Sequence, residues 1–180
     1  MNVLTMKQHA PNIILIGMPG SGKSTVGVIL AKLLSRGFVD TDLLIQTAQG
    51  RSLQGIVDTD GYLALRDIEA KMLVNLHCSN QVIATGGSAA YSHAAMTHLK
   101  EGGLVVFLHA DLETLNKRVR DFSERGLAKS PGQTLNDLFR ERLSLYTAYA
   151  DITIDSCRLT HEEVCARIIE QIGEYATETN

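Results

Sequence analysis

A chain of 180 residues and 19.6 kDa has room for one folded unit with a real core, because a domain of this size buries roughly two thirds or more of its unfolded surface. With 44% hydrophobic and 21% charged residues, the composition excludes disorder, a collagen-like fibre and a disulfide scaffold. A net charge of -3 and a pI near 6.1 exclude any global attraction for nucleic acid or an anionic membrane, so an anionic ligand requires locally clustered Arg and Lys.

The opening MNVLTMKQHAP carries no apolar stretch of the signal-peptide kind, and Ile13 to Ile16 is far too short to cross a bilayer; a cytoplasmic protein is expected. Asn12 to Gly17 (NIILIG) is a nearly continuous apolar run that reads as a strand covered on both faces. Lys23 to Leu34 follows with helical spacing at Val26, Ile29, Leu30, Leu33 and Leu34. Phe38 to Asp40 is a candidate strand, and Leu43 to Gln49 a short helix that a preceding aspartate would cap. Tyr62 to Leu76 is helical by the positions of Leu65, Ile68, Met72, Leu73 and Leu76. Strands at Gln81 to Thr85, Gly103 to Leu108 and Asp151 to Asp155 alternate with helices at Ala94 to Lys100, Leu112 to Asp121, Leu135 to Ala150 and Thr160 to Tyr175, the last with Thr160 as N-cap. The polar stretch Ser123 to Gln133 (SERGLAKSPGQ) reads as a mobile lid at about residues 122–133.

Strands alternating with helices predict an α/β domain over residues 1–180, doubly wound, with a central, mostly parallel five-stranded sheet, helices on both faces and a short lid. Ligands in that architecture bind beyond the carboxyl ends of the strands. Cys78, Cys157 and Cys165 are odd in number and without metal-ligand spacing, so they read as buried thiols of a reducing compartment. His93 and His98 are five apart, off one helix face, and the other histidines are scattered along the chain; no metal or catalytic role is expected of them. Nothing suggests a coiled coil, and a monomer is expected.

Gly17 to Thr25 (GMPGSGKST) satisfies the pattern GxxxxGK(S/T) through Gly17, Gly22, Lys23 and Ser24, between an apolar strand and an amphipathic helix. Glycines there let successive backbone N–H groups turn toward phosphate oxygens at a helix N-terminus. Lys23 is then the point charge for the β- and γ-phosphates, and the Ser24 hydroxyl a ligand of Mg2+. No Asn-Lys-x-Asp guanine-reading motif exists, and the chain is short for a motor, which favours a metabolite kinase over a GTPase or motor ATPase.

Three features bear on a second substrate, each with an ordinary reading beside it. In FVDTD, Asp40 could hold magnesium-bound water and Asp42 reach a substrate hydroxyl, or they could simply cap a helix. Arg66 and Glu69 share a helix face and could form a surface ion pair; Arg140 and Arg142 could be a solvated face. Gly86 and Gly87 after a strand allow close approach of a ligand to the backbone, or merely a turn.

Taken together, the ordered motifs GMPGSGKST, FVDTD, LRDIE, ATGGS, a lid with an arginine, and RLSLYTAYAD resemble the shikimate kinase family over nearly the whole chain, from Ile13 to about Val164. The resemblance implies a P-loop kinase fold and ATP-dependent phosphorylation of shikimate to shikimate 3-phosphate. It implies ATP binding by Gly20, Ser21, Gly22, Lys23, Ser24 and Thr25, with Arg118 stacked on adenine, Arg158 in the loop bordering it and the lid residue Arg125 on the phosphates. Shikimate would be held by Asp42, Arg66, Arg142 and the backbone at Gly86 and Gly87, with the arginines on its carboxylate. Ser24 and Asp40 would hold Mg2+, and Lys23, Asp42 and Arg125 would carry the catalysis. The family's run of three glycines is here Gly86-Gly87-Ser88, its Arg-Pro-Leu-Leu lid is Arg125-Gly126-Leu127-Ala128, and Ser144 and Ala148 replace a usual proline and glutamate. Two alternatives stand beside shikimate: a related kinase of another hydroxy acid such as gluconate, and a nucleotide-binding regulatory relative. The presence of Lys23, Asp40, Asp42 and Arg125 favours an enzyme.

Overall fold

The computed structural model describes residues 11–119 and 126–178. Strand β1 (Asn12–Ile16) is buried along its whole length and divides its side chains between two cores. Ile14 and Ile16 enter one, with Ile83, Met96, Phe107 and Tyr146; Ile13 and Leu15 enter the other, with Val26, Leu30, Val106 and Ile168. A strand covered on both faces has no polar alternation, which explains the unbroken NIILI run. Burial of each such side chain stabilises the fold by about 1.5–3 kcal/mol.

Around β1 the sheet is parallel throughout, in the order β2-β3-β1-β4-β5, with β2 Gly37–Asp40, β3 Gln81–Ala84, β4 Gly103–His109 and β5 Ile152–Asp155. Helices α1 (Lys23–Leu34) and α8 (His161–Glu178) cover one face. Helices α4 (Tyr62–Val74), α5 (His93–Gly102) and α7 (Leu135–Tyr149) cover the other. The expected five-stranded α/β architecture is therefore present. In-register pairings such as Leu15 with Ala84 and Ile16 with Phe107 align the strand ends, so the segments that follow them converge on one edge.

Several boundaries differ from expectation. Helix α2 (Thr41–Gln49) begins before Leu43 because the Asp40 carboxylate accepts the N–H groups of Asp42 and Leu43. Helix α3 (Leu53–Asp60) is unanticipated: Ser52 caps it and only Ile56 is buried, so its apolar period is too weak to read. Helix α6 (Leu112–Arg118) stops short of Asp121, with Val119 as C-cap. Thr160 does open α8, its hydroxyl accepting the Glu163 N–H while the Glu163 carboxylate accepts the Thr160 N–H. Of the expected lid, residues 126–133 form no helix or strand, and the remainder lies outside the described residues. Only Cys165 is buried; Cys78 and Cys157 are half-exposed, so the expectation of three buried thiols is corrected. Among the described residues, no helix is long and apolar enough to cross a membrane.

Candidate active site

The loop between β1 and α1 owes its shape to glycine at two points. Gly17 has φ +144°, and a Cβ there would lie 2.6 Å from the Leu108 carbonyl oxygen; Gly20 has φ +87° and is pressed against Val119. Helix α1 starts with no side-chain cap and no acidic residue in its first turn, which leaves its N–H groups and positive end for an anion. Lys23 is only 8% exposed, and its Nζ donates to the carbonyls of Gly17 (2.8 Å) and Met18 (2.9 Å). Burial lowers its pKa to about 8, against the opposing pull of Asp42. The buried Ser21 hydroxyl has no partner, while Ser24 and Thr25 line a cavity of about 610 Å³.

Across that cavity stand Asp42, Glu69, Gly87 and Arg142. Glu69 is 3% exposed; Ser88 donates its hydroxyl to Oε2, and Oε1 is buried without a partner. Burial first, then the Asp42 charge, pushes Glu69 up to about 7. Asp42 is also raised, chiefly by burial, with Lys23 opposing. A Cβ on Gly86 would collide with Glu69 Oε1 and lie 2.6 Å from Asp42 Oδ1, and one on Gly87 would lie 2.7 Å from Arg142 Nη1. Glycine here therefore leaves the Glu69, Asp42 and Arg142 side chains room to hold their positions, beyond a simple turn.

Arg142 is 1% exposed, so the reading of Arg140 and Arg142 as one solvated face is corrected: Arg140 is exposed and Arg142 turns into the core. Nor do Arg66 and Glu69 form a surface pair. Arg66 donates through Nε (3.2 Å) and Nη2 (2.9 Å) to the Ala128 carbonyl, which also receives Arg142 Nη2 at 3.0 Å. The Arg66 guanidinium lies 3.6 Å from the centre of the Tyr91 ring, a cation–π contact that holds its plane. Arg142 Nε is buried without a hydrogen-bond acceptor among the described residues. Two guanidinium groups therefore converge on one point of the cavity wall.

On the opposite side, Arg118 donates to the Ser156 carbonyl (2.6 Å) and hydroxyl (3.3 Å) and to the Ser21 carbonyl (3.5 Å), tying the loop after β5 to the phosphate loop. Arg158 is exposed on that loop and does not line the cavity; Arg125 falls outside the described residues. Asp40 caps α2 through Oδ1, so capping does hold for that residue. Ser88 lines the cavity with its hydroxyl committed to Glu69. Gly126, at φ +61°, against the Leu53 backbone and with its N–H on Gln54 Oε1 (2.8 Å), occupies a conformation closed to proline. Ser144 and Ala148 are exposed on α7, away from the cavity. Sequence reasoning overlooked Glu69 as a site residue, Tyr146, whose hydroxyl donates to the Gly87 carbonyl (2.6 Å), and His161, which lines the cavity 3.6 Å from a Cβ on Gly22. LRDIE places Glu69 beside Arg66, but spacing alone does not reveal that it is buried.

Glu69 has a consequence for stability. Between its ordinary value of 4.5 and about 7 the folded chain holds a proton that the unfolded chain has released, so stability falls as pH rises through that window. The total is on the order of 3 kcal/mol. Glu69→Gln is expected to flatten this slope in urea titrations from pH 4.5 to 7; slopes identical to the parent would refute the assignment.

The chain matches the family model described as shikimate kinase over residues 19–173. It is 40% identical over 148 residues to a shikimate kinase of Paracidovorax citrulli, covering 79% of this chain and 81% of that protein. Among solved structures, it is similar to shikimate kinase from Acinetobacter baumannii in complex with shikimate, with TM-score 0.80, 30% identity and coverage of 94% and 97%. The shikimate kinase of Aquifex aeolicus superposes with TM-score 0.77 at 32% identity, covering 92% and 98%.

Proposed function

Because the chain belongs to the shikimate kinase family, we propose that it transfers the γ-phosphoryl group of ATP to a hydroxyl of shikimate, giving shikimate 3-phosphate and ADP. The observation that carries this reading is one cavity with an anion cradle on one wall and, on the other, Arg142, whose buried Nε has no acceptor among the described residues, with Arg66 beside it on the same Ala128 carbonyl. The cradle suits a polyphosphate and the paired guanidinium groups a carboxylate.

In this reading Gly20, Ser21, Gly22, Lys23, Ser24 and Thr25 hold the phosphates, and Arg118 lies on the base side with Arg158 on the adjoining loop. Arg125 supplies a further positive charge from the lid. Arg66 and Arg142 hold the substrate carboxylate, while Gly86 and Gly87 let the ring approach the backbone. Asp42 and Glu69 divide the carboxylate work: burial raises both, but Asp42 is the less buried and feels the Lys23 charge, and it orients or deprotonates the attacking hydroxyl. Glu69, titrating near 7, serves as donor or acceptor through Oε1. The Ser24 hydroxyl, on the cavity, and the Asp40 carboxylate are oxygen donors of the kind Mg2+ takes, and they would hold the ion. When bound with the nucleotide, that ion neutralises charge on the phosphates. We also propose that the enzyme acts as a cytoplasmic monomer without nucleic-acid or membrane partners, a reading supported by its free thiols and net charge of -3.

A coupled assay of ADP release with shikimate, gluconate and other hydroxy acids tests the function. Turnover of shikimate is expected; ADP release with no member of the panel would favour a nucleotide-binding regulator. A second expectation concerns protons. Phosphates raise the pKa of Lys23 from about 8, so ATP binding at pH 8 should take up protons. Calorimetry in buffers of different ionisation enthalpy reads this directly, and zero or negative uptake counts against Lys23 as the phosphate ligand.

A further inference from the structure

At the carboxyl ends of β4 and β5, outside the cavity, three different donor types come together. His109 closes β4, Asp155 closes β5 opposite it in the parallel register, and Cys157 follows two residues later. The imidazole nitrogen, carboxylate oxygen and thiol sulfur all lie within 4.8 Å of one another, and His109 Nδ1 is 3.7 Å from Asp155 Oδ1. We propose that His109, Asp155 and Cys157 form a binding site for a thiophilic divalent cation of the zinc class.

Bonds of about 2.0–2.3 Å at tetrahedral angles separate donors by roughly 3.3–3.6 Å. The His–Asp gap is already close to that, and the thiol lies within 4.8 Å of both. Nitrogen, oxygen and sulfur together suit zinc and not magnesium, which takes oxygen. The donors are held by their surroundings, as metal ligands usually are. The His109 ring sits edge-on against Phe107 at 5.7 Å, with Phe139 at 6.5 Å. Cys157 Sγ accepts the Asp111 N–H at 3.3 Å, and Asp155 Oδ1 accepts the Cys157 N–H at 3.0 Å. The Asp155 side chain is 73% exposed, so the fourth coordination position faces water. Burial and Asp155 hold the thiol above its ordinary value, and the cation binds by displacing its proton.

An ion pair between His109 and Asp155 explains two of these residues without any metal; it does not explain the thiol brought to the same point. The position is also consequential. The Ser156 N–H (2.8 Å) and hydroxyl (2.9 Å) both donate to the His109 carbonyl, and Ser156 is the residue that Arg118 grips. An ion here fastens together the two strand ends that carry that contact.

Titration of the full chain with Co2+ tests the site, because a cobalt–thiolate bond produces a charge-transfer band in the near ultraviolet that oxygen ligands do not. One equivalent should produce the band and Zn2+ should abolish it. Cys157→Ser should eliminate it, His109→Gln should weaken Co2+ binding at least about tenfold, and Cys78→Ser and Cys165→Ser should leave both unchanged. Thermal melts confirm that the variants fold. No band in the parent chain, a band retained in Cys157→Ser, or undiminished binding in His109→Gln overturns the proposal.

Discussion

Lys23→Ala is expected to lower kcat by about 10²–10³-fold, the usual result of removing a preorganised group that stabilises charge developing in the transition state. Its position justifies a large effect. The ammonium is buried at the start of α1 and held between the Gly17 and Met18 carbonyls, so it is oriented before any ligand arrives. Water screens little there, and a charge directed at transferring phosphate acts at close to full strength. Stability should not confound the result. A pKa lowered from 10.5 to about 8 means that keeping this amine charged costs the fold on the order of 3 kcal/mol near neutral pH. Alanine removes that cost along with the two hydrogen bonds, which offset one another in part. Steady-state kinetics beside a thermal melt decide the matter: a well-folded variant within tenfold of the parent kcat would sink the assignment.

Arg142→Lys should lower kcat/KM for shikimate by about one to two decades while leaving the KM for ATP nearly unchanged. Lysine retains the charge and most of the buried length but lacks the planar fork. The fork matters because its nitrogens have different tasks: Nη2 holds the Ala128 carbonyl, whereas Nε is buried with no acceptor. A charge-assisted contact of this type contributes about 1.5–3 kcal/mol, which is one to two decades. Arg142→Ala is a poorer test, because it leaves a void near Tyr91 and removes one of the hydrogen bonds that hold the Ala128 carbonyl. Shikimate kinetics unchanged in Arg142→Lys would remove this residue from the site.

The parts of the site that were legible are those whose chemistry is local in sequence. The phosphate loop is contiguous: a strand end, glycines at forced positive φ, a lysine and an uncapped helix start lie within nine residues, from Gly17 to Thr25, and no distant contact is needed to read them. The same holds for β1, whose apolar run states directly that both faces are covered. Helix α3 escaped notice because a segment that buries one side chain shows no period.

What remained hidden depended on burial and on residues far apart in the chain. Arg140 and Arg142 are two residues apart on one helix, and only the packing of α7 against the sheet sends one to solvent and the other to the core. Glu69 acquires its raised pKa from loss of water and from the Asp42 charge, against the lowering hydrogen bond from Ser88, none of which sequence spacing encodes. His109 and Cys157 are brought within reach of each other by the pairing of β4 with β5. The amino-acid order alone thus determined the strand–helix alternation and the anion cradle, because turn, strand and helix-start preferences are properties of a few neighbouring residues. Which charges lose their water, and which side chains end up sharing a point in space, was decided only by the tertiary structure, because dielectric environment and proximity belong to the packed chain and not to any segment of it.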